Sequence, residues 1–256
     1  MAHRDEQQFL RGHSAHEPGE LLERWRAVAS AGDLSFEPFA RAGEHELFAL
    51  RSRAAHAGAR RIYLSAGVHG DEPGAVLGLL HWAEEHISEM GRYDLLLFPL
   101  FNPWGIANNV RHDERGRELK RMFHSRAHPF PAWRRRLGRR CFDLALCLHE
   151  DFDARGCYIY ELGSAGIAED LLAVARPHIA PDPRLEIDDM EAKSGVIRRE
   201  SLEREDFPLE GLPESVWLYF ERCEVSLTLE TPSEFSLFER VRAHSAMIHA
   251  ALSTTG

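Results

Sequence analysis

The sequence predicts an α/β fold, a central sheet covered by helices on both faces. Three observations point there. Apolar runs at 61–66, 93–101, 142–148, 157–162 and 225–230 have the length of strands buried on both sides. Segments of helical spacing lie between several of them. The length of 256 residues, with 44% hydrophobic and 28% charged side chains, suits one globular domain over 1–256 with its own core.

The elements follow in order. Residues 1–55 form a polar N-terminal segment with one helical stretch at 21–29 and an edge hairpin, SFEPFAR (35–41) and ELFALRS (46–52). Pro38 suits an edge strand, because it has no N–H to give a neighbour. RIYLSAG then reads as a buried strand, followed by the tight loop VHGDEPG. Val76, Leu79, Leu80, Ala83, Ile87 and Met90 place one apolar face on a helix that starts at Pro73 and stops at Gly91. The strand at 93–101 leads into a long polar loop, 102–130, and a helix at 132–141. Strands at 142–148 and 157–162 precede a helix at 166–176. The Pro- and charge-rich stretch 180–215 reads as loops with short strands, SVWLYFERC (215–223) as an edge strand, and 236–252 as a closing helix.

Composition excludes several function classes. No apolar run approaches the roughly 20 residues of a membrane span. A net charge of −10, from 41 acidic and 31 basic residues, argues against a nucleic-acid partner. The basic run Trp133–Arg140 has helical spacing and reads as a solvated helix face. The first residues read as polar, without the apolar stretch expected of a secretory leader, and Cys141, Cys147, Cys157 and Cys223 contain no Cys-x-x-Cys pair. A cytoplasmic protein with reduced thiols is expected; an exported chain that has lost its leader is the alternative.

Sites in open α/β sheets form beyond the carboxyl ends of strands. His69 and Glu72 follow the strand at 61–66, His149 follows 142–148, and Glu230 closes 225–230. Two imidazoles and one carboxylate are a common donor set for a catalytic zinc ion, with a coordination position left for water. His69, Glu72 and His149 are the expected ligands of one Zn2+. Glu230, unbound, is the expected general base. Each residue alone has a plainer reading, a satisfied core histidine or a turn cap; their joint placement makes the site.

The segments AGVHGDEPGA, NPWGIANNVRHDERGRELKRMF, LHED and TLETP resemble those of the zinc metallocarboxypeptidase family and of its succinylglutamate desuccinylase and aspartoacylase branch, over residues 61–232. The resemblance implies a mixed, mostly parallel sheet and maps the family's ligands onto His69, Glu72 and His149 and its catalytic glutamate onto Glu230. Arg111 matches the arginine that polarises the scissile carbonyl, and Arg121 the one that holds the substrate's free carboxylate. Their spacing of ten positions resembles that of murein-peptide amidases more than that of digestive enzymes. Lys120 stands where the family has asparagine, and offers a point charge to the same carboxylate. Glu118 replaces the aspartate that backs the first histidine. The family's mobile tyrosine has no clear counterpart; Tyr158, Tyr160 and Tyr219 are the candidates.

The expected activity is hydrolysis of a small peptide by a metallocarboxypeptidase. Deacylation of an N-acyl amino acid is the alternative, and a non-catalytic binding module is disfavoured by the complete core set. The acidic run after His149 reads as a hydrated loop, and His112, His124 and His128 as surface residues.

Overall fold

The computed structural model describes residues 2–52, 56–207 and 211–253. The ends of the N-terminal segment (1, 53–55), part of the 180–215 loop (208–210) and 254–256 lie outside them. Two helices, α1 (Ala2–Gly12) and α2 (Pro18–Ala31), precede the hairpin β1 (Ser35–Ala42) and β2 (His45–Arg51). Then come β3 (Arg61–Ser65), α3 (Pro73–Glu85), β4 (Asp94–Phe98), α4 (Pro103–Asn108), α5 (Phe130–Leu137), β5 (Leu144–Asp151), β6 (Tyr158–Leu162) and α6 (Ala168–Ala175). The short strands β7 (Glu186–Ile187), β8 (Met190–Glu191) and β9 (Val196–Arg199) lead to α7 (Glu214–Glu221), β10 (Ser226–Pro232) and α8 (Leu237–Ser253).

Eight strands form one mixed sheet in the order β1-β2-β4-β3-β5-β10-β6-β9. Its centre, β4-β3-β5-β10, is parallel, and so is the outer pair β6-β9; β1-β2, β2-β4 and β10-β6 are antiparallel. The side chains of each central strand alternate between two cores, as a period of two demands. Ile62, Leu64, Leu95, Leu97, Leu146 and Leu229 pack with α2, α3, α6 and α8. Tyr63, Leu96, Phe98, Ala145 and Cys147 pack with α5 and α7 on the opposite face. The sheet is therefore covered on both sides, as the continuous apolar runs require. Cys147, Cys157 and Cys223 are buried free thiols, and Cys141 is exposed. Among the described residues no helix is long and apolar enough to cross a membrane.

Several expectations are corrected. The run at 215–223 is the helix α7, not an edge strand. Its β-branched and aromatic content suits a strand, but Val216, Trp217 and Phe220 share one helical side against the core, and the Trp217 N–H bonds back to the Pro213 carbonyl. Helix α3 ends at Glu85, and Ile87 and Met90 belong to a separate 3-10 turn that keeps their side chains on the core. Helix α1 escaped notice because its face is polar apart from Phe9 and Leu10. The 102–130 loop holds α4 and a 3-10 turn at Leu119–Arg121. Strands β5 and β10 run two residues past His149 and Glu230, so His149 sits inside its strand rather than after it and Glu230 does not close its own.

Candidate metal centre and active site

The loop between β3 and α3 carries His69 and Glu72, and it is held tightly. A Cβ on Gly70 would lie 2.0 Å from the backbone of Gly105 in α4, so only glycine lets the two segments meet. The Asn102 N–H donates to the Gly67 carbonyl at 2.8 Å. Its side-chain oxygen caps α4 through the Gly105 N–H, and its amide donates to the His112 carbonyl at 3.1 Å. One buried asparagine thereby ties the metal-side loop to the arginine loop. Sequence reasoning used Asn102 only as a landmark; its place at the start of a Pro-led helix was the available signal.

The β10–β5 register sets Glu230 opposite His149. Both fall on the face of α5 and α7, whereas Glu150 points the other way. There it accepts from the Gly74 N–H at 2.9 Å, Thr231 Oγ1 at 3.1 Å and the Arg240 guanidinium at 2.9 Å. The expected hydrated loop after His149 is thus corrected at its first member: Glu150 is buried and anchors α3 and α8. Asp151 accepts from the Tyr158 hydroxyl at 3.0 Å, while Phe152 is 71% exposed.

The structure brings His69, Glu72 and His149 together. All three are buried, and their donor atoms lie within 4.8 Å of one another. Both imidazoles turn Nδ1 toward Glu72: His149 Nδ1 lies 2.8 Å from Oε2, and His69 Nδ1 contacts Oε1. His69 Nε2 lies 2.8 Å from Glu118 Oε1, a carboxylate that accepts the Nε2 proton when Nδ1 is turned to a cation. The donor chemistry and inward orientation fit a divalent ion, and this carboxylate backing is what the Glu118 position was expected to provide.

Glu118 has a second task. Its Oε2 accepts from Arg111 Nε at 2.7 Å, so one carboxylate orients both a metal donor and the guanidinium. Burial alone would raise the Glu118 pKa, but the hydrogen bonds from His69 and the charge of Arg111 hold it far below the usual carboxylate range. Glu72 is likewise held low: the two histidines overcome its burial. The imidazoles diverge. Burial lowers His69, yet Glu72 and Glu118 draw it up to about 9, whereas burial takes His149 down to about 4 against the pull of Glu72.

Glu230 is 2% exposed, and its Oε2 has no hydrogen-bond partner among the described residues. Lys120 Nζ lies 3.4 Å from Oε1. Burial pushes the Glu230 carboxyl up to about 7, with Lys120 pulling the other way. Lys120 and exposed Arg121 line a cavity of about 170 Å³, shared with Tyr160, Thr228, Ser215 and Val216. Glu72 and Arg111 line a second cavity, of about 340 Å³, with His16, Asn109 and Phe152. Of the three tyrosines, Tyr160 lines the first cavity and donates to Asp188 at 2.6 Å; Tyr158 is buried beside it, and Tyr219 packs in the α7 core. His124 and His128 bond to the backbone of Gly211 and Arg41, and the basic run is helical as far as Leu137, burying Trp133 and Leu137 while Arg135 and Arg139 are exposed and Arg134, Arg136 and Arg140 half-buried.

Fold and donor set define a carboxypeptidase-like hydrolase scaffold with a candidate metal centre. Residues 58–187, just over half of the chain, match the succinylglutamate desuccinylase/aspartoacylase catalytic domain, and the chain belongs to that family of hydrolases. Glu230 lies beyond the matched segment. A candidate metallopeptidase from Shewanella amazonensis is similar over 92% of both chains, with a TM-score of 0.78 and 23% identity. A metallo-carboxypeptidase from Burkholderia cenocepacia matches 90% of this chain and 66% of its own, with a TM-score of 0.66 and 17% identity. One from Pseudomonas aeruginosa, in complex with (2-guanidinoethylmercapto)succinic acid, matches 89% and 67%, with a TM-score of 0.63 and 15% identity. No curated protein matches.

Proposed function

We propose that residues 1–256 act as one catalytic domain, a zinc-dependent metallocarboxypeptidase that cleaves an amide bond next to a free carboxylate in a small peptide. His69, Glu72 and His149 would hold one zinc ion. When bound, zinc supplies Lewis acidity for the scissile carbonyl and makes water a better nucleophile near neutral pH. Glu230 takes the proton of the attacking water at its free Oε2 and returns it to the leaving amine. Lys120 holds the other carboxylate oxygen, so the base presents one oxygen in one orientation. Arg111, steadied by Glu118, stabilises the developing oxyanion. Arg121 and Lys120 receive the substrate carboxylate, with Tyr160 at the wall of the same cavity.

The observation that carries this reading is the buried Oε2 of Glu230, without a partner among the described residues, directly opposite His149 in the β10–β5 ladder and beside a cationic cavity. The roomy second cavity on the Arg111 side favours a peptidyl rather than a short acyl group there. The family match keeps N-acyl amino acid deacylation as the second reading. Zinc-loaded protein, incubated with dipeptides, murein peptides and N-acyl amino acids, separates them. Amino acid released only from peptides supports the peptidase; release only from N-acyl amino acids replaces it with the deacylase.

A further inference from the structure

A second cluster of metal-binding side chains lies away from the centre just described. His86 caps the carboxyl end of α3, Glu89 belongs to the 3-10 turn that follows, and His249 sits near the end of α8. Donor atoms of the three lie within 4.8 Å of one another. His86 Nδ1 is 3.1 Å from Glu89 Oε1, and the two imidazoles stack at 4.1 Å between centroids, inclined by 15°. All three are partly exposed, so an ion has a path from solvent and room to keep water ligands.

The backbone adds to the attraction. Gly74 faces Arg240, Gly78 faces His244, and His86 faces His249, so α3 and α8 run side by side in the same direction. Their carboxyl ends converge at this cluster, and both carry the negative end of a helix dipole. A cation is favoured there before any side chain binds it. Arg92 pairs with Glu89 Oε2 at 3.0 Å and leaves Oε1 toward His86.

We propose that His86, Glu89 and His249 form a second divalent-cation site that ties the ends of α3 and α8 together. Two imidazoles and a carboxylate select a transition ion such as Zn2+ over Mg2+ or Ca2+. A tetrahedral ion with ligands at ~2.0–2.2 Å holds its donors roughly 3.5 Å apart, so His86 and Glu89 already stand close enough and the His249 ring turns out of the stack to join them. The fourth position stays with water. The occupant steadies the helix pair that supports Glu150 and Thr231 from behind, through Arg240 and His244.

Equilibrium dialysis of the full chain against Zn2+, followed by metal analysis, tests the site. Wild type is expected to take up about two ions per chain, and His249→Gln about one. Glu72→Gln together with His149→Gln is expected to retain the surface ion, and its melting temperature still rises with added Zn2+. Glu89→Gln repeats the measurement should His249→Gln fold poorly, as judged by circular dichroism. Equal zinc content in wild type, His249→Gln and Glu89→Gln overturns the proposal. So does a wild type whose single ion is lost in the Glu72→Gln, His149→Gln variant.

Discussion

The chain places two imidazoles and a carboxylate together twice, in opposite settings. His69, Glu72 and His149 are buried, and His86, Glu89 and His249 are partly exposed. The buried set is assembled from a loop and a strand, with His69 held from behind by Glu118 and both Nδ1 atoms already turned inward. The surface set draws on the ends of two neighbouring helices, and its rings stack instead of converging. The same donors therefore differ in preorganisation. Supporting carboxylates and burial, not donor identity, set the first cluster apart, and the same setting holds Glu230, whose Oε2 has no hydrogen-bond partner among the described residues.

That contrast can be broken or sharpened by substitution. The largest effect is expected for Glu230→Gln, which lowers kcat by about a thousandfold and leaves zinc content unchanged. Steady-state kinetics with metal analysis checks both; unchanged turnover would remove Glu230 as the base. Next comes the scaffold behind the buried set. Arg240→Met strands Glu150 without its ion partner and is expected to cost about 3 kcal/mol, read from urea unfolding. Glu118→Gln weakens the support of His69 and lowers zinc affinity by about 10–100-fold in competition with a chelator. An affinity equal to wild type would show that burial alone prepares the donors. The smallest effect belongs to the surface set. His249→Gln is expected to leave kcat/KM at the buried centre within about twofold, because its contacts lie at the far ends of α3 and α8.

Much of the fold was legible in local pattern. The β3 run, its glycine-rich loop and Pro73 announced a strand, a tight turn and a helix, because each obeys short-range rules of period and capping. The hairpin with Pro38 at the edge followed from the same reasoning, and the β1 ladder shifts register there. Helix α7 was not legible, since its aromatic and β-branched run satisfies two periodicities and only its partners choose between them. The site divides in the same way. His69, Glu72, His149 and Glu230 stood out as polar residues at strand ends. Glu118 bridging His69 to Arg111, Asn102 joining two loops, and Lys120 reaching Glu230 did not, because each contact depends on where another segment of the chain comes to rest.

By itself the sequence determined the strands, most helices and the kinds of donor available, since hydrophobic period, proline and glycine act within a few residues. Tertiary structure alone decided which donors meet. The β10–β5 register and the period of two sent His149 and Glu230 to one face and Glu150 to the other, and a slip of one residue would have reversed both. The parallel course of α3 and α8 likewise drew His86 toward His249 across more than half the chain, an encounter that no local spacing encodes.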